Sequence, residues 1–197
     1  PMISPIFRLC RGLVGQLGLI CAVTGFMVST PTMAFAQSNA VLQQALKHLE
    51  AEQYQQAQPL LERLAGEGDA VAAYNLGLMA EFGLGQSVDY EQAFTLYQLA
   101  ESQNLPQAQF TLAMLYLEGK TSQGVQYEAG KELIQQAAEQ GYVPAFSVLS
   151  MIELSGLTGD AELLQAHLWV CKAVEKGDTP SFADLISKRL SEEDRQC

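Results

Sequence analysis

The 197 residues carry 22 acidic against 11 basic side chains, a net charge of −11. Such a surface suits neither nucleic acid nor an anionic membrane, because both are bound by cations that displace counterions. Apolar residues make up 48% of the chain, enough for a sizeable core and too many for wholesale disorder.

Residues 1–36 differ from the rest. Arg8 and Arg11 precede an apolar run over residues 12–28, broken by Gln16 and Thr24. Ala34-Phe35-Ala36 then supplies the small-x-small pattern of a signal-peptidase site. The segment is expected to be a signal peptide cleaved after Ala36, giving an exported, periplasmic or secreted protein with no membrane insertion. The alternative is a retained anchor, for which the run is short beside the roughly 20 residues a bilayer takes. Cleavage removes two arginines and no acid, which brings the net charge to −13, and Cys10 and Cys21 leave with the segment. Cys171 and Cys197 remain. Two cysteines are no disulfide framework, so packing must hold the fold. A single Cys171–Cys197 bridge is the option left open, with Cys171 expected to face partly outward.

From residue 37 onward the chain repeats itself. Ala72-Ala73-Tyr74-Asn75-Leu76-Gly77 returns as Ala108-Gln109-Phe110-Thr111-Leu112-Ala113, then as Ala145-Phe146-Ser147-Val148-Leu149-Ser150, at offsets of 36 and 37. Ser181 and Leu185 begin a further copy. A second block keeps the rhythm: Tyr90, Ala93, Leu96, Tyr97 and Ala100 match Tyr127, Gly130, Leu133, Ile134 and Ala137, then Leu163, Ala166, Trp169, Val170 and Ala173. Their spacing places them on one face of a helix. Gly83 and Gly85, Gly119 and Gly124, and Gly156 and Gly159 fall between the blocks, where a left-handed residue ends a helix. Each unit is therefore helix, glycine-containing loop, helix, and stacked units share a continuous core.

Residues 72–100 resemble the Sel-one-like repeat (SLR), a relative of the tetratricopeptide repeat (TPR). They carry A-x-Y-x-L-G, G-x-G and D-Y-x-x-A-x-x-L-Y-x-x-A. Residues 108–137 match with Ala113 for the glycine, and residues 145–173 match with Ser147 for the aromatic. Residues 41–65 have a shorter link and look more like a TPR unit. The resemblance implies an all-α fold, a right-handed α-α superhelix of stacked repeats. The expected units are a TPR-like pair over 37–66, repeats over 67–103, 104–139 and 140–176, and a capping helix with tail over 177–197.

The resemblance also brings an association with β-lactam binding or hydrolysis. No S-x-x-K, S-D-N, K-T-G or H-E-x-x-H occurs after residue 36. His48 and His167 lie in different units. His167 and Cys171 share a helical face, but a catalytic zinc usually takes three protein ligands. Glu192-Glu193-Asp194 is expected to be a solvated tail, and Glu128 with Glu132 an exposed face. The chain is therefore expected to be no enzyme and to need no cofactor.

What remains is interaction. The resemblance implies a concave groove lined by first helices that takes a partner peptide or helix. A structural role in an envelope assembly is the alternative. By analogy with TPR units the groove stripe is Asn75, Leu78 and Phe82, then Thr111, Met114 and Glu118, then Val148, Met151 and Ser155. Its middle row is Leu78, Met114 and Met151, with Leu46 upstream, and methionine suits an adaptable surface. Asn75 stands where related repeats hold a ligand's backbone. Packing between adjacent helices is the competing expectation for all of these residues.

Overall fold

The computed structural model describes residues 31–156, 162–180 and 183–190. Contacts divide the chain into two units, between Val41 and Leu42. Every regular element among the described residues is a helix: α1 (Pro31–Glu50), α2 (Tyr54–Gly66), α3 (Ala70–Phe82), α4 (Tyr90–Glu101), α5 (Pro106–Glu118), α6 (Tyr127–Glu139), α7 (Val143–Ser155), α8 (Leu163–Glu175) and α9 (Ala183–Arg189). From α2 on, each packs on the next, which makes a helical solenoid.

Local sequence sets the helix ends. Asp69 caps α3 by accepting the Ala72 N–H at 2.8 Å, and Asp89 caps α4 by accepting that of Gln92 at 2.9 Å. Gly83, Gly119 and Gly156 close α3, α5 and α7 in the left-handed region, with φ of 67°, 62° and 66°. An L side chain is strained there, and at Gly119 a Cβ would also stand 2.6 Å from Val125 Cγ2.

The backbone repeats more faithfully than the side chains. After each loop one N–H returns to the preceding first helix: Asp89 to Ala80 O, Gln126 to Tyr116 O and Glu162 to Glu153 O, at 2.8, 2.9 and 3.0 Å. The pair α7/α8 keeps this bond although Ser147 has replaced the aromatic. A second set of left-handed residues marks the turns between pairs: Gly68, Asn104, Gly141 and Gly177. They recur at the same 36- and 37-residue offsets as the helices.

Ala72, Leu76, Ala108, Leu112, Ala145 and Leu149 are all buried, as are Ala93, Tyr97, Ala100, Ile134, Ala137, Trp169 and Val170. Within each pair a small residue on the first helix matches a larger one on the second. Gly77 lies under the Tyr97 ring, Ala113 shares a core cluster with Ile134, and Ser150 Oγ donates to Ala166 O at 2.9 Å one turn before Val170. As the first partner grows from glycine to alanine to serine, the second shrinks from tyrosine to isoleucine to valine. Interior space is conserved because cores pack at crystal-like density.

At the end of the stack Ile186 of α9 is buried, in a cluster with Ala166, Val170 and Leu190. Of residues 177–197, the described helix is α9, Ala183–Arg189. Gly159, Ser181 and the tail with Glu192, Glu193, Asp194 and Cys197 lie outside the described residues, as does most of the expected signal peptide.

One expectation is corrected. Cys171 does not face outward: it is 6% exposed, although Gln98 and Gln135 at the equivalent positions are exposed. His167, also buried, lies one turn before it with Nε2 3.5 Å from the sulfur, so the two side chains cover each other. Cys171 is disulfide-bonded, and its partner cysteine lies outside the described residues.

Candidate interaction face

The first helices α3, α5 and α7 are buried on all but one stripe. In α3 the unburied positions are Val71, Tyr74, Asn75, Leu78, Glu81 and Phe82, and α5 and α7 repeat this spacing. Steps of three, one, three, three and one keep such positions on a single helical face. The remaining positions of these helices face the core, apart from the end residues and half-buried Tyr116.

None of the eight stripe residues from Asn75 to Met151 is buried. Phe82 and Met151 stand out, 61% and 51% exposed, and Glu118 and Ser155 are exposed as well. Leu78 and Val148 are partly buried and lean on core clusters, which gives the stripe a fixed floor. Thr111 and Met114 are half-buried, as is Leu46 in α1.

Two of the polar positions spend their donors inside their own helices. Asn75 Nδ2 donates to Val71 O at 2.7 Å, and Thr111 Oγ1 donates to Gln107 O at 3.0 Å. Such bonds to the carbonyl one turn back are the local alternative that short polar side chains find in a helix. One Asn75 N–H is therefore spent inside the helix, and the other N–H and Oδ1 are left to meet a ligand.

The sequence reading missed part of this face. Phe110, one residue before Thr111, lines a cavity of 550 Å³ together with Val143, Pro144, Val148 and the turn Lys176-Gly177-Asp178. Ser147 Oγ donates to Asp178 Oδ2 at 2.9 Å and ties that turn to α7. Phe110 also meets Tyr142 edge-on, with ring centroids 5.3 Å apart. The sequence reading left it out of the stripe, and it is half-buried. The aromatic of the A-x-Y pattern itself carried the signal, since Tyr74 holds the same position on α3.

Electrostatically the face is held by Glu81. Its Oε2 accepts the Tyr97 hydroxyl at 2.7 Å. Burial, then that bond and the carboxylate's charge, push the Tyr97 phenol well above its ordinary range, so it stays a neutral donor. Glu118 pairs with Lys120 at 2.5 Å on the exposed edge, and Lys120 also lies over the Tyr90 ring. Glu153, on the buried side of α7, is held by Lys131 at 3.1 Å.

No three His, Cys, Asp or Glu side chains gather at metal-binding distance among the described residues. No helix there is long and apolar enough to cross a membrane.

Stacked helix pairs with a recurring open stripe on their first helices define a TPR-like solenoid. The Sel1 repeat family matches residues 70–105 and 106–142, which are α3/α4 and α5/α6 with their turns. Residues 70–142 are therefore two Sel1 repeats (SLR). The chain superposes on the crystal structure of a Sel1 repeat protein from Oxalobacter formigenes with a TM-score of 0.70 at 24% identity, covering 79% of this chain. It also superposes on a protective antigen of uropathogenic Escherichia coli displaying an SLR fold, with a TM-score of 0.70 at 22% identity over 83% of this chain. It spans 63% and 37% of those two chains, so each continues beyond the shared part. Sel1-repeat proteins are typically non-enzymatic scaffolds that mediate protein–protein interactions.

Proposed function

We propose that this protein is an exported adaptor that binds a polypeptide segment of its partner along the first-helix face. The observation that carries the reading is the recurrence, on three successive first helices, of one open and mainly apolar stripe over an otherwise buried helix. A helix needs no such face to stack. Apolar surface left at least part-open in register is the mark of an interaction site, and half-buried Leu78 and Met114 with exposed Met151 occupy its middle row.

Mutation separates this reading from plain packing. Met114→Ser with Met151→Ser is expected to cost about 1–2 kcal/mol in total, whereas buried methionines would lose roughly 2–5 kcal/mol each. A photo-crosslinking residue at Met151, in the cell that makes the protein, is expected to capture a specific partner that the same residue at Leu168 does not. Equal capture at both sites, or a stability loss of core size, would remove the assignment.

Export belongs to the same reading and rests on Arg8, Arg11, the apolar run and Ala34-Phe35-Ala36. Helix α1 begins at Pro31 and crosses this boundary, so cleavage would leave it from Gln37 to Glu50. N-terminal sequencing of the protein from the exported fraction is expected to begin at Gln37. A retained N-terminal segment in the membrane fraction would replace the signal peptide with an anchor.

A further inference from the structure

We propose that the segment this face takes is cationic, with lysine or arginine interspersed among bulky apolar side chains, one of which lies in the open depression beside Phe110. The inference rests on the reading of the first-helix face as the binding surface and adds the chemistry of its occupant.

Charge is distributed unevenly over the first helices. α3, α5 and α7 contain no lysine, arginine or histidine, and each contains one glutamate. Glu153 is committed to Lys131. Glu81 and Glu118 lie on the open stripe, in the last turns of α3 and α5. Carboxylates are disfavoured there, because the unpaired carbonyls of a helix C-terminus already carry negative partial charge. Neither last turn has a basic residue to offset this. Both positions therefore work against helix stability and concentrate negative potential at one end of the stripe.

Neither carboxylate is closed to a newcomer. Glu81 is held by Tyr97 through Oε2, which fixes its place without neutralising its charge. The Glu118–Lys120 pair is exposed, and exposed pairs are worth little, so an incoming cation can replace Lys120 at small cost. The net charge of −11 attracts cationic segments from a distance, and the two carboxylates give that attraction a fixed place on the stripe.

The cavity supplies the apolar half of the chemistry. It is an open depression of about 550 Å³, and Phe110, Val143, Pro144 and Val148 form an apolar floor on which an aromatic or branched side chain can lie. Asp178 on the rim is held toward α7 by Ser147 and offers a third carboxylate, with Lys176 as a cation on the same rim.

A random-sequence peptide library selected on the full-length chain tests both parts. Selected peptides are expected to be enriched in lysine or arginine together with phenylalanine, tryptophan or leucine. Glu81→Gln with Glu118→Gln is expected to weaken a selected peptide about ten-fold at low salt, and high salt should erase the difference. The amide oxygen that replaces the Glu81 carboxylate still accepts the Tyr97 hydroxyl, so the fold is preserved. Glu128→Gln with Glu132→Gln makes the same change in net charge on exposed positions of α6 and is expected to weaken binding less than about two-fold. Neutral or acidic peptides that Met114→Ser with Met151→Ser displaces would overturn the cationic occupant and leave the face intact. Equal losses in the two glutamine pairs, or no enrichment at all, would also overturn it. Cationic peptides indifferent to the methionine substitutions would overturn the face itself.

Discussion

Gly77→Ala is expected to destabilise the protein by about 2 kcal/mol, although alanine is the better helix former by about 1 kcal/mol. The added Cβ would stand 2.6 Å from Tyr97 Cδ1, and the tyrosine is fully buried with no room to retreat. Its hydroxyl is held by Glu81 and its ring lies 5.8 Å from that of Tyr74, so a displaced Tyr97 disturbs both helices and the open stripe. The next pair shows the remedy, because Ala113 there packs in one cluster with Ile134. Tyr97→Ile alone should leave a void and also destabilise, whereas the double substitution copies the arrangement of α5/α6. Urea unfolding of both single variants and the double is expected to give a favourable coupling of about 1–2 kcal/mol. Additive losses would mean that the glycine is not there to admit the ring.

Loss of the Cys171 disulfide is expected to cost about 3–4 kcal/mol, the chain-entropy value for a loop of this length if Cys197 is the partner. Cys197→Ser and chemical reduction should then lower the urea midpoint by the same amount, and reduction should not lower it further in the Cys197→Ser variant. After cleavage at Ala36, the unfolded, non-reduced protein should titrate no free thiol. Two free thiols, or an unchanged midpoint in Cys197→Ser, would reject the pairing. Because Cys171 is buried, the bridge would hold the C-terminal tail against α8, at the end of the stack where only the short α9 follows among the described residues.

The architecture is legible in the residues alone. Small residues and leucines at offsets of 36 and 37, with glycines between them, allow only helix pairs stacked in register. The backbone bonds of Asp89, Gln126 and Glu162 follow that register even where side chains have drifted. The turns at Gly68, Asn104, Gly141 and Gly177 form a second rhythm that the sequence reading passed over, because an asparagine, which tolerates the left-handed region, interrupts the glycines.

Which apolar residues are open depends on how the helices pack. On α3 nearly every position is apolar, so periodicity cannot separate Leu78, which is part-open, from Met79, which is buried. The difference arises from the neighbours: α2 and α4 cover most of α3, and one stripe remains. For the same reason Phe110 was left out of the stripe and Cys171 passed for surface. The identity of a side chain fixes what it gains by burial, but the packing of other helices decides whether burial is available to it.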